Sequence, residues 1–235
     1  MMKQLIVLLF LTLGASSLQA QDCLEPVSRK RNGVLCLSFY DQEIQRLLNP
    51  NNAEWGVIRK PSLMTESSLT YDAKAQTLIY TKIDGILWGD VRDATTERRD
   101  TTINVEGVGP VNYSRDIDLT EVRDYHAPGT LTWSLSVSEK MIKRLKQLWD
   151  IAIDGAQKND RMVLDGCPRI FFVGKKCAKA HYYEKEWPKI PRLVQLVEDM
   201  MTAVQEGDAS QLASLETEAT ELYQLFVKEK SAQRN

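Results

Sequence analysis

Between Ser68 and Val91 apolar and polar positions alternate, with Leu69 and Tyr71 set against Thr70 and Asp72, followed by Leu78-Ile79-Tyr80-Thr81 and Ile86-Leu87-Trp88. A period of two sends successive side chains to opposite faces of a strand. With turn residues at Ala73-Lys74-Ala75 and Asp84-Gly85, the segment predicts a meander of antiparallel strands. Val34 to Phe39, Trp55 to Ile58 and Thr130 to Leu135 carry the same signal. Two further strands are predicted at Thr101 to Val105 and Val111 to Ile117, about the turn Gly107-Val108-Gly109-Pro110. Arg92 to Asp100 mixes both charge signs and reads as a solvated loop or hairpin tip.

Helical spacing is superposed on this pattern at four places. Ile44, Leu47 and Leu48 give a short helix over Asp41 to Leu48 one apolar face. Ser136-Val137-Ser138-Glu139 has the Ser-x-x-Glu spacing of a capping box, and Met141, Ile142, Leu145, Leu148, Trp149, Ala152 and Ile153 continue as a stripe to Gly155. Pro188 and Pro191 suit a first helical turn, after which Leu193, Val194, Val197, Met200, Met201 and Val204 recur until Gly207. Asp208 to Gln211 then caps a last helix through Leu212, Leu215, Leu222, Leu225 and Phe226. Short strands are predicted at Arg161 to Leu164, Ile170 to Val173 and Ala178 to Tyr183. The fold class that follows is α+β: an antiparallel β-sheet with one face covered by the helix from about Val137 to Gly155, plus a C-terminal helical hairpin over 188–232.

The first twenty residues stand apart from this pattern. Lys3, the apolar run Leu5 to Leu13 and the small residue Ala20 match a cleavable signal peptide over 1–20, and the run is too short to cross a hydrocarbon core. The expected organisation is therefore a signal peptide followed by a single domain over 21–235, periplasmic or secreted, with no transmembrane segment after cleavage. Removing Lys3 shifts the net charge of the 235-residue chain from -2 to -3. So balanced a charge excludes a broad electrostatic footprint for nucleic acid.

Export changes the reading of the four cysteines, because an oxidising compartment favours disulfides. Cys23 with Cys36, and Cys167 with Cys177, close the shortest loops and are the expected pairs. C-x-x-C spacings are absent, so no metal is expected.

Candidate chemistry is sparse. Asp124 and His126, two apart, would share one face of an extended strand, where a carboxylate could orient an imidazole. His181 lies just before Tyr182, Tyr183 and Trp187, rings that could stack on a ligand in a groove. Carboxylate pairs at Asp116 and Asp118, or Asp84 and Asp90, belong most simply to solvated loops. Asn112-Tyr113-Ser114 matches a glycosylation sequon. The chain has no Gly-x-Ser-x-Gly elbow, no His-Glu-x-x-His helix and no phosphate loop, and no cofactor is expected. The reading that results is an exported bacterial envelope protein that works as a non-catalytic binding or interaction module, its partner a protein or carbohydrate ligand of the envelope. The alternative is a secreted hydrolase whose site is assembled around His126 or His181.

Overall fold

The computed structural model describes residues 22–27, 30–31, 34–35, 38–61, 64–119, 121–158, 166–181 and 188–232. The expected signal peptide, Cys36, the strand at Arg161 to Leu164, and Tyr182, Tyr183 and Trp187 lie outside them. The fold is α+β. Its centre is a seven-stranded, wholly antiparallel sheet in the order β1-β11-β10-β4-β5-β6-β9. These strands are β1 (Glu25–Pro26), β4 (Trp55–Arg59), β5 (Ser67–Asp72), β6 (Thr77–Ile83), β9 (Thr130–Ser136), β10 (Arg169–Val173) and β11 (Lys176–Ala180). Two small sheets accompany it, β2 (Lys30–Arg31) with β3 (Val34–Leu35), and β7 (Thr96–Val105) with β8 (Gly109–Asp118).

Alternation along the strands builds two cores. Trp55, Val57, Leu69, Leu78, Tyr80, Phe171 and Ala178 point to one face. There they meet α3 (Glu139–Asp154) and the hairpin of α4 (Ile190–Glu206) and α5 (Ala209–Ala232). Trp55 and Trp149 are each almost wholly buried, with ring centroids 6.0 Å apart, and the Trp149 indole N–H donates to the Gly56 carbonyl at 3.2 Å. Each such fully buried apolar side chain contributes about 2–3 kcal/mol by removing its surface from water. The opposite strand positions, Ile58, Ile83 and Phe172, meet Ile44 and Leu48 of α1 (Phe39–Leu48) and Leu87 and Val91 of α2 (Leu87–Thr95). The second face therefore carries its own helical layer.

Local signals account for most helix ends. Ser38 caps α1, accepting from the Asp41 N–H at 3.1 Å, so the helix takes in Phe39, which the sequence pattern assigns to a strand. Ser138 caps α3, accepting from Met141 N–H at 3.1 Å, while Ser136, the serine expected there, still belongs to β9. Gly207 ends α4 with φ 70°, a left-handed conformation that glycine takes without a Cβ clash. The Asp208 carboxylate then accepts from the Ser210 and Gln211 N–H groups at 2.9 Å to start α5.

The segment Ile86-Leu87-Trp88 is corrected from strand to helix. Leu87, Val91 and Ala94 are buried at spacings of four and three, one face of α2. Its first turn is held by Glu66, distant in sequence, whose buried carboxylate accepts from the Leu87 and Trp88 N–H groups at 3.0 and 2.9 Å.

The expected Cys167–Cys177 disulfide is also corrected, since no two cysteines among the described residues are bridged. In the β10–β11 register Cys177 faces Phe172, whereas Cys167 lies two residues before Arg169, which faces Ala180. Cys167 is thus five strand positions from the point opposite Cys177, roughly 16 Å at the rise of an extended chain and far beyond the reach of a disulfide.

Candidate functional interface

β7 and β8 form a hairpin arm of ten residues a side. At the strand rise this arm is about 33 Å long. It pairs with no other strand among the described residues, and almost every side chain along it is exposed. The cross-strand register sorts its residues onto two unlike faces. Arg98 with Asp116, Asp100 with Ser114, and Thr102 with Asn112 share one face. That face satisfies itself: Ser114 donates to Asp100 at 2.5 Å and Thr102 to the Asn112 side-chain oxygen at 2.9 Å. The other face carries Thr101 with Tyr113, Ile103 with Val111, and Val105 with Gly109. Ile103 is 47% exposed, Tyr113 52%, and Val108 in the connecting turn 73%.

Two features make the apolar face unusual for a free surface. A two-stranded hairpin is at best marginally stable in water unless a face is covered. Contiguous apolar side chains on an exposed strand pair also mark contact sites far more often than singly scattered ones do. Toward the base, on the same face, Arg99 stands directly opposite Arg115. Like charges directly opposite one another repel. Arg99 leans back on Glu97 at 3.4 Å, whereas Arg115 makes no ion pair among the described residues. A surface with aliphatic side chains at the tip, a tyrosine behind them and paired guanidinium groups behind that suits an apolar ridge flanked by a carboxylate.

A concave region lies on the sheet face that α1 covers. It is a cleft of about 500 Å³ between α1 and strands β4, β10 and β11. Ile58, Ile170 and Phe172 make its apolar floor, and Gln45, Asn49 and Asn52 bring side-chain amides to it. At its rim Lys60 bonds the Asp41 carboxylate at 2.6 Å and lies 4.6 Å from the Tyr40 ring centroid. Burial acts to raise the Asp41 carboxyl, but hydrogen bonds from Lys60 and Ser38 outweigh it and hold the group below the usual carboxylate range. Cys177 also lines this cleft.

The residues expected to carry chemistry are not brought together. Asp124, with φ 42°, and His126 are both exposed in the link between β8 and β9, and neither lines the cleft. His181 follows β11 and is half-buried; burial pushes its imidazole down, with Lys179 adding to the effect and Glu25 opposing it. Among the described residues neither ring makes a side-chain hydrogen bond. Trp55 is a core residue stacked on Tyr71, while Trp88 is partly exposed with the Arg92 guanidinium 5.0 Å from its ring.

The arm itself is legible in part: the turn at 107–110, the second strand and the outer half of the first follow from the sequence, whereas Arg92 to Asp100, expected as a loop or hairpin tip, forms the end of α2 and the base of β7. Its two-faced character lies in the register, where residues ten or more positions apart share a face. The charged stretch ending at Asp100 hides this because its outer half runs on into the apolar positions. Among the described residues no helix is long and apolar enough to cross a membrane. No protein-family profile, curated protein or solved structure matches this chain.

Proposed function

We propose that this chain is an exported bacterial envelope protein, periplasmic or secreted, that acts as a non-catalytic interaction module. The β7–β8 arm is its docking surface for a partner protein. The observation that carries the reading is the segregation of Ile103, Val105, Val111 and Tyr113 onto one exposed face of a hairpin whose other face is polar throughout its middle. The partner surface is apolar, to cover Ile103 and Val111, and acidic at one end, to answer Arg99 and Arg115. A buried carboxylate between the two guanidinium groups would relieve their repulsion and add charge-assisted hydrogen bonds.

The leader-like segment Leu5 to Leu13 supports export, and the near-neutral charge of the remaining chain supports a protein partner over nucleic acid. The test is recovery of the protein from the envelope of its own cells after mild fixation, comparing the wild type with an Ile103→Lys, Val111→Lys double variant. Both substitutions are at exposed positions, so thermal stability should be unchanged. The expected result is one protein recovered with the wild type and lost with the variant. Equal recovery with both would overturn the reading.

A further inference from the structure

β9 is the last strand of the central sheet and, among the described residues, pairs only with β6. The backbone hydrogen bonds of its neighbour β6 determine which of its groups face outward. On the β5 side of β6, Ile83 N–H donates to the Glu66 carbonyl at 3.0 Å. On the β9 side, Asp84 N–H donates to Gly129 O at 2.9 Å and Val137 N–H to Gln76 O at 3.3 Å. Antiparallel partners alternate between exchanging both bonds and exchanging none. Carried through the register, Leu131, Trp133 and Leu135 turn their backbone groups to Lys82, Tyr80 and Leu78 of β6. The N–H and C=O groups of Thr130, Thr132, Ser134 and Ser136 therefore form the outer edge. Among the described residues no hydrogen bond reaches that edge.

An open edge of seven residues is ordinarily blunted by a charge, a proline or a bulge. Thr-Leu-Thr-Trp-Ser-Leu-Ser has none of these. It is instead a chemical palindrome about Trp133: leucine at 131 and 135, a hydroxyl at 132 and 134, a hydroxyl at 130 and 136. We propose that a second copy of this chain pairs with β9 about a two-fold axis through Trp133, joining the two sheets into one. This goes beyond the docking role of the arm and uses a different surface.

The symmetry selects this occupant over an arbitrary strand. A two-fold axis normal to the sheet requires antiparallel pairing and keeps the helical layers of both copies on one side, so odd-numbered positions must face odd-numbered ones. In the register centred on Trp133, Leu131 faces the other copy's Leu135, and Thr132 faces its Ser134. The outward groups at 130, 132, 134 and 136 then all fall in hydrogen-bonded pairs, so no edge group in the strand is left over. Leu131, 47% exposed in the single chain, gains an apolar neighbour. α4 packs on both β6 and β9, so in each copy a helical layer lies beside the paired edge. A strand of seven residues and a second layer about 10 Å away give roughly 1,000 Å² of total buried surface, the lower bound for a specific interface. The association should accordingly be reversible and in the micromolar range.

Sedimentation velocity on the protein lacking residues 1–20 tests this from low to high micromolar concentration. The wild type should move from monomer to dimer mass. Thr132→Pro removes an N–H that points outward and leaves the β6 ladder intact, a position where an edge strand tolerates proline. It should weaken the dimer by about tenfold or more, since each copy loses a backbone bond. A Thr132→Lys, Ser134→Lys double variant sets lysines against each other across the axis and should give monomer at every concentration, with the circular dichroism of the wild type. A wild type that stays monomeric throughout would overturn the proposal. So would a dimer that the double lysine variant leaves intact. The arm substitutions Ile103→Lys and Val111→Lys should leave the dimer unchanged, which separates this proposal from the docking role.

Discussion

The Tyr40 hydroxyl donates to the Glu66 carboxylate at 2.9 Å, on the same oxygen that accepts the Trp88 N–H. Glu66 has no solvent exposure. Through it the first turn of α1 and the first turn of α2 share a single carboxylate. The N–H groups of the first turn of α2, which have no acceptor within the helix, find theirs in that side chain. Burial, followed by the Glu66 charge, pushes the Tyr40 phenol well above its ordinary range, so it stays a donor throughout physiological pH.

Glu66→Ala should therefore destabilise the fold by about 3 kcal/mol, because two N–H groups and a hydroxyl lose their acceptor in a buried place. Tyr40→Phe removes one donor and leaves Glu66 its backbone partners, so about 1 kcal/mol is expected. Urea unfolding followed by tryptophan fluorescence measures both. Equal losses in the two variants would show that the carboxylate does not hold α2.

Gly56 is required by close approach of neighbouring strands. A Cβ there would stand 2.5 Å from the Leu69 carbonyl oxygen and 3.0 Å from the Phe172 ring. Gly56→Ala should cost about 2–3 kcal/mol as β4 is forced away from β5. The readout is the midpoint of thermal unfolding, and an unchanged midpoint would mean that the strands part without cost.

The acid limb of stability should depend on Glu43. Hydrogen bonds from Arg46 at 2.6 and 2.9 Å lower its carboxyl against the effect of burial, and the Tyr125 hydroxyl adds to them at 2.7 Å. A carboxylate whose folded value lies below its unfolded one contributes stability that is complete above the unfolded value, about pH 4.3, and is lost as pH falls through the folded one. Asp22 has the opposite sign: desolvation raises its carboxyl although it caps the Lys189 and Ile190 N–H groups at 2.9 Å, so its share is lost as pH rises. Stability against pH should thus fall less steeply on the acid side in Glu43→Gln than in the wild type. Parallel curves would remove Glu43 from the acid transition.

Much of this fold is legible in the sequence because its signals are local. The stripe from Met141 to Ile153, the stop at Gly207 and the cap at Asp208 each lie within a few residues of what they control. α2 is missed because Ile86-Leu87-Trp88 fits a strand as well as a helix, and the group that decides between them, Glu66, lies twenty-one residues from Leu87. The Cys167–Cys177 pairing fails for a similar reason: loop length suggests it, but the hairpin register sets the two residues apart. Of the candidate site residues, Asp124 and His126 belong to the link between β8 and β9 and His181 follows β11, so none is on the arm, whose chemistry is spread over two strands and appears only when Ile103 is set beside Val111.

The thiols offer a direct check on the corrected pairing. Alkylation of the denatured, unreduced protein, followed by peptide mapping, should modify both Cys167 and Cys177. A peptide linking the two through sulfur would contradict the β10–β11 register.

The docking role of the arm meets its most direct test in a photo-activated crosslinking residue placed singly at 101, 102, 103, 104 and 105 in protein expressed in its own cells. Products with a second, different protein should form from 101, 103 and 105 and be absent from 102 and 104, following the alternation of the strand. Products from all five positions alike, or from none, would contradict the assignment of the arm's apolar face as the interaction surface.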